Sequence, residues 1–77
     1  MKTKTKELTN GRFEIEVDGY TFQVRNFHDV DPDFKGQEIY DEEGKFVDER
    51  ASGRFVDHTD EEDLQALAQY IRENLIF

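Results

Sequence analysis

The stretch from Phe13 to Val24 admits few folds. Phe13, Ile15 and Val17 alternate with Glu14 and Glu16, and Tyr20, Phe22 and Val24 alternate with Thr21 and Gln23. Between the two runs stands Asp18-Gly19. An Asp-Gly pair between alternating apolar runs is a strong signal for a two-residue hairpin, because Gly reaches the positive φ that a type I′ turn needs. A β-hairpin over residues 12–25 follows. Its register pairs Val17 with Tyr20, Ile15 with Phe22 and Phe13 with Val24, and the side-chain period of two puts all six on one face. Glu14, Glu16, Thr21, Gln23 and Arg25 take the other face, which is expected to meet water.

A helix is expected at the far end. Leu64, Leu67, Ala68, Ile71 and Leu75 recur at spacings of three and four, which is one helical face. Thr59 with Glu62 three residues on fits a capping box, so the helix is expected over about residues 60–75 with Thr59 as its cap. Between hairpin and helix, residues 28–36 carry Pro32 and Gly36 and read as a loop. A second hairpin over about residues 37–49 turns at Asp41-Glu42-Glu43-Gly44, with Gly44 left-handed, and Ile39 and Phe46 are expected on its inner face. Arg54–Val56 read as a short edge strand or an approach loop, with Phe55 joining the core. Residues 1–10 read as a flexible basic arm that could join the sheet at its end, and residues 11–77 as a single α+β domain. The expected fold is a two-layer α+β sandwich, an antiparallel sheet of three to four strands covered on one face by the C-terminal helix.

Charge narrows the function. The chain has 19 acidic residues against 10 basic ones, for a net charge of −9. The lysines at positions 2, 4 and 6 fall in the expected arm, so the folded part is more acidic still. Aromatic residues make up 13% of the chain, too many for a disordered acidic tail. A folded domain with a strongly negative surface repels nucleic acid and anionic membranes and attracts basic partners and cations. The absence of Cys removes thiolate chemistry, zinc–thiolate sites and disulfides. No secretory pattern follows the early lysines, and a cytoplasmic location is expected.

Motifs for chemistry are weak. Asp29, Asp31 and Asp33 alternate as in a calcium-binding loop, but Phe34 stands where such a loop needs Gly and Tyr40 where it needs a bidentate Glu. A polar loop with local Asp turns explains them better. His28 and His58 each adjoin an Asp, yet no third ligand is spaced to join them. Ser52 has no nucleophile-elbow context. No catalytic residue, metal or cofactor is expected. Acids at 60–63 are explained by the positive end of the helix dipole, whereas Glu14, Glu16, Asp29, Asp31, Asp33, Glu38, Asp48 and Glu49 add repulsion without an evident folding benefit.

The expected function is therefore a non-enzymatic, acidic protein-interaction module. Glu14, Glu16, Asp29, Asp31, Asp33, Asp41, Glu42 and Glu43 would meet a basic partner, with Phe27 and Phe34 as aromatic anchors. In size and charge the chain resembles small acidic inhibitors made by phages and mobile elements, some anti-CRISPR proteins among them. That resemblance implies a DNA mimic occupying the basic nucleic-acid-binding surface of its partner. It rests on no motif and transfers no residue. The alternatives are a divalent-cation-binding accessory domain built on Asp29, Asp31 and Asp33, and a small structural domain whose acidity only keeps it soluble. A homodimer is compatible with each.

Overall fold

The structure is a computed structural model that describes residues 3–28, 30 and 34–76. Among these residues five strands, β1 (Thr5–Glu7), β2 (Phe13–Val17), β3 (Tyr20–His28), β4 (Lys35–Tyr40) and β5 (Phe46–Arg50), precede one helix, α1 (Glu61–Asn74). The sheet is antiparallel throughout and ordered as the chain runs, β1-β2-β3-β4-β5. The helix covers one face, giving the two-layer α+β arrangement. The strand count is five rather than three or four. The extra strand comes from the expected arm, where Thr5 pairs with Ile15 and Glu7 with Phe13. Thr3 holds it to the helix: its N–H donates to Glu61 Oε1 at 2.9 Å, and Gln65 Nε2 donates to Thr3 Oγ1 at 2.9 Å.

The first hairpin has the register its sequence implies, with Phe13 opposite Val24, Ile15 opposite Phe22 and Val17 opposite Tyr20. Asp18 and Gly19 both have positive φ, 53° and 86°, as a type I′ turn requires. Phe13, Ile15, Val17, Phe22, Val24 and Ile39 line the inner face and meet Leu64, Leu67, Ala68 and Ile71 of α1. Tyr20 is the exception, 57% exposed where the pattern put it in the core. Pairing of β3 with β4 begins only at Gln23, so no strand flanks Tyr20 on that side. The last helical turn meets the hairpin tip through charge instead: Arg72 Nε and Nη2 donate to the two Asp18 carboxylate oxygens at 2.8 and 3.1 Å.

Two further expectations shift by a residue. The helix is capped by Asp60, whose Oδ1 accepts from the N–H of Glu62 at 2.9 Å, and not by Thr59. Thr59 is already engaged, its N–H and hydroxyl both donating to Asp57 Oδ1. Val56 fills the core where Phe55 was expected, and Phe55 stays on the surface. An amide clamp explains this choice. Asn26 Nδ2 donates to the Val56 carbonyl at 2.8 Å while Asn26 Oδ1 accepts from the Val56 N–H at 2.9 Å, which imitates strand pairing and seats residue 56 on the sheet. Gln37, fully buried, backs the clamp. Its Nε2 donates to Asn26 Oδ1 and to the Arg54 carbonyl, and its Oε1 accepts from Arg50 Nη1 and Ser52 Oγ, so all four of its hydrogen-bonding positions are filled.

Gly36 belongs to β4 and not to a loop. A Cβ there would collide with the carbonyl oxygen of Arg50, so close backbone approach is what demands glycine. β3 likewise runs on to His28, and Pro32 lies outside the described residues.

Candidate partner-binding face

The helix covers only the inner face, so the outer face of the sheet is open. Side chains alternate across each strand, and cross-strand pairing sorts those on the open face. Lys6 stands opposite Glu14, Glu14 opposite Gln23, Gln23 opposite Tyr40, Arg25 opposite Glu38 and Glu38 opposite Glu49. Glu16 is exposed two residues beyond Glu14, about 6.8 Å along the strand. Lys4 and Lys6 therefore border these two glutamates instead of trailing away from them, which moderates the acidity of this corner.

The turn after β4 joins the same face. Gly44 takes φ 90°, its N–H donates to the Asp41 carbonyl at 3.0 Å, and the Asp41 N–H donates to the Lys45 carbonyl at 2.8 Å. Asp41 Oδ1 accepts from the N–H groups of Glu43 and Lys45, both at 2.9 Å, so this carboxylate shapes its own turn. Glu42 and Glu43 project outward; Lys45 approaches Glu43 at 3.8 Å. Gln23 Nε2 donates to the Glu42 carbonyl at 3.3 Å, which ties the turn to β3.

With Asp41 and Lys45 closing the turn, the next pair outward is Tyr40 and Phe46. That places Phe46 on the face opposite Ile39, contrary to the expectation that the two share the inner face. A bulge follows: Ile39 faces Asp48, and Val47 has no opposite residue. Asp48 takes the inner position and accepts from the Tyr70 hydroxyl of α1 at 2.7 Å. Tyr40 is buried on the outer side between the Phe46 ring, edge-on at 5.9 Å between centroids, and the Arg12 guanidinium, 3.6 Å from its ring centre. Arg12 Nη1 also donates to Gln23 Oε1 at 3.1 Å. Burial raises the Tyr40 pKa above its ordinary value, and the hydrogen bond from its hydroxyl to Glu38 Oε1 acts in the same direction.

Phe27 and Phe34 form a tilted ring pair 6.1 Å apart. Phe27 opposes Gly36, four residues along β3 from Gln23, so this pair sits about 13 Å from the Tyr40 level. The structure thus gathers Glu14, Glu16, Glu42 and Glu43 near one end of the face and sets the expected anchors at the other. Asp29, Asp31 and Asp33 lie outside the described residues. Sequence reasoning had Glu38 and Glu49 among the acids without a folding benefit but not on a binding face, and it missed Arg12, Phe46 and Val47 as parts of that face. Counting outward from a turn closed by Asp41 and Lys45 would have found Phe46.

Among the described residues no group of three or more His, Cys, Asp or Glu side chains could hold a metal ion. A groove of about 340 Å³ runs between the first hairpin and α1; of its charged residues Lys4, Glu16, Asp18 and Arg72, the last two are bound to each other. No helix among the described residues is long and apolar enough to cross a membrane. No family model, curated protein or solved structure matches the chain.

Proposed function

We propose that this protein is a non-enzymatic interaction module whose open sheet face occupies a basic, nucleic-acid-binding surface of a partner protein. One observation carries this reading. A whole face of the sheet is left uncovered by the helix, and Glu14, Glu16, Glu38, Glu49 and the Glu42–Glu43 turn stand on it. Among the described residues, Glu14, Glu16, Glu42 and Glu49 make no ion pair within 4 Å. Carboxylates fixed on strands are spaced regularly, as phosphates are along a nucleic-acid backbone. Their summed field speeds encounter with a cationic surface.

The test is capture from a host lysate at low salt, followed by displacement of a labelled DNA duplex from the captured protein. The comparison variant carries Glu14→Gln, Glu16→Gln, Glu42→Gln and Glu49→Gln. Capture of a nucleic-acid-binding protein, release of its duplex, and loss of both effects in the variant or at high salt is the expected result. Capture that the four substitutions leave unchanged would remove the outer face from the proposal.

A further inference from the structure

Phe46 and Val47 are 58% and 42% exposed on a small sheet whose other apolar side chains are largely used in its core. Strand addition does not account for them. Val47 sits at the bulge with no residue opposite it, and a bulge breaks the even hydrogen-bonding edge that an added strand needs. What β5 offers is a side-chain surface. It is also a firm one: Phe46 leans on the buried Tyr40 ring, which Arg12 pins from above. An aromatic held in place before binding loses little conformational freedom on binding, as interface anchors require.

The surroundings identify the occupant. Glu38, Glu42, Glu43 and Glu49 border this corner, and two nearby cations are already paired, Arg25 with Glu38 at 3.9 Å and Lys45 with Glu43 at 3.8 Å. A second copy would bring two acidic rims together on chains of net charge −9. A basic partner is complementary. We infer that Phe46, seated on Tyr40, and the exposed Val47 beside it in the chain anchor the interface by entering an apolar recess on the partner that is ringed by lysine and arginine. This rests on the proposed acidic-interaction function and deepens it: the anchor is the β4–β5 corner and not the Phe27–Phe34 pair.

The experiment uses the full chain, isotope-labelled for NMR, and two short helical peptides of equal length and equal positive charge. One peptide carries a leucine face and the other a serine face. The leucine peptide is expected to bind about tenfold more tightly, the worth of burying part of one aromatic side chain, with shifts centred on Tyr40, Phe46 and Val47. Phe46→Ser, an exposed position, should remove that preference while leaving the spectrum of the core unchanged. Equal binding of both peptides, with shifts only at the glutamates, overturns the anchor and leaves the acidic-interaction reading standing. Binding of neither overturns both. Shifts at Phe46 that depend on protein concentration without peptide assign the corner to a second copy and overturn the proposal in that direction.

Discussion

Asn26→Leu tests the amide clamp that fastens the approach to the helix. The substitution keeps the branching and the number of side-chain heavy atoms but removes every hydrogen bond of the amide. The Val56 N–H and C=O lose their 2.9 and 2.8 Å partners, and Gln37 Nε2 loses one of its two acceptors. Val56 is buried, and Gln37 is wholly so, which keeps solvent from replacing those bonds. Each buried polar group left without a partner costs about 1–3 kcal/mol. Three such groups, offset in part by the added apolar contact of leucine, give a loss of about 4 kcal/mol. For a chain of 77 residues the whole stability is on the order of 4–12 kcal/mol. Urea denaturation followed by circular dichroism measures the loss as a lower midpoint at unchanged slope. Ser52→Ala is the internal comparison. It removes the one hydroxyl proton that Ser52 shares between Gln37 Oε1 and the Arg54 carbonyl; the first keeps Arg50 and the second keeps Gln37 Nε2, so the cost is about 1 kcal/mol. If Asn26→Leu costs less than about 1 kcal/mol at unchanged slope, the clamp does not hold Val56 in place and the reasoning fails.

The helix cap and the hairpin tip supply two more outcomes. Asp60→Ala should cost about 1 kcal/mol and Thr59→Ala at most about 0.5 kcal/mol, because the helix is capped by Asp60; thermal melts that reverse this order restore the capping role of Thr59. The Asp18 carboxyl titrates below its ordinary value, held there first by its hydrogen bonds from Arg72, so it stabilises the fold above the ordinary carboxylate range and loses that effect as pH falls through its folded value. The stability gap between wild type and Asp18→Asn should therefore narrow below about pH 4, and a gap independent of pH would show that the pair contributes nothing through its charge. The gap's slope is the diagnostic, not its sign, because Asp18 has positive φ and Asn tolerates that conformation well.

The parts of the fold legible in the sequence are those where one local pattern decides the outcome. Asp18-Gly19 sets both the turn and the register of its strands, and the Leu64–Ile71 spacing sets the face that α1 buries. Local pattern fails where a distant partner decides. Thr5–Glu7 looks like an arm because Lys and Thr alternate without an apolar face; it becomes a strand because the edge of β2 is free and Thr3 finds Glu61, 58 residues away. Phe55 and Val56 are equally apolar, and the choice between them belongs to Asn26, 30 residues from Val56. The acids of the candidate face were legible, and the place of Phe46 on it was not. Glu14 and Glu16 follow from alternation, and Glu42 and Glu43 from the turn. Phe46 was misassigned because one residue in the count around that turn exchanges the two faces.

The order of the strands has a consequence for how the molecule is made. Each strand pairs with its neighbour in the chain, so the sheet can assemble progressively as it is synthesised, closing only short loops. Its lid comes last. Until Leu64, Leu67 and Ile71 have been added, Ile15, Val24 and Ile39 have nothing to lie against, and the half-built sheet shows water an apolar face. Such a species is prone to stick to its own kind. Synthesis halted before α1, or a protease cut in residues 51–59, would therefore yield aggregate and not a smaller working domain.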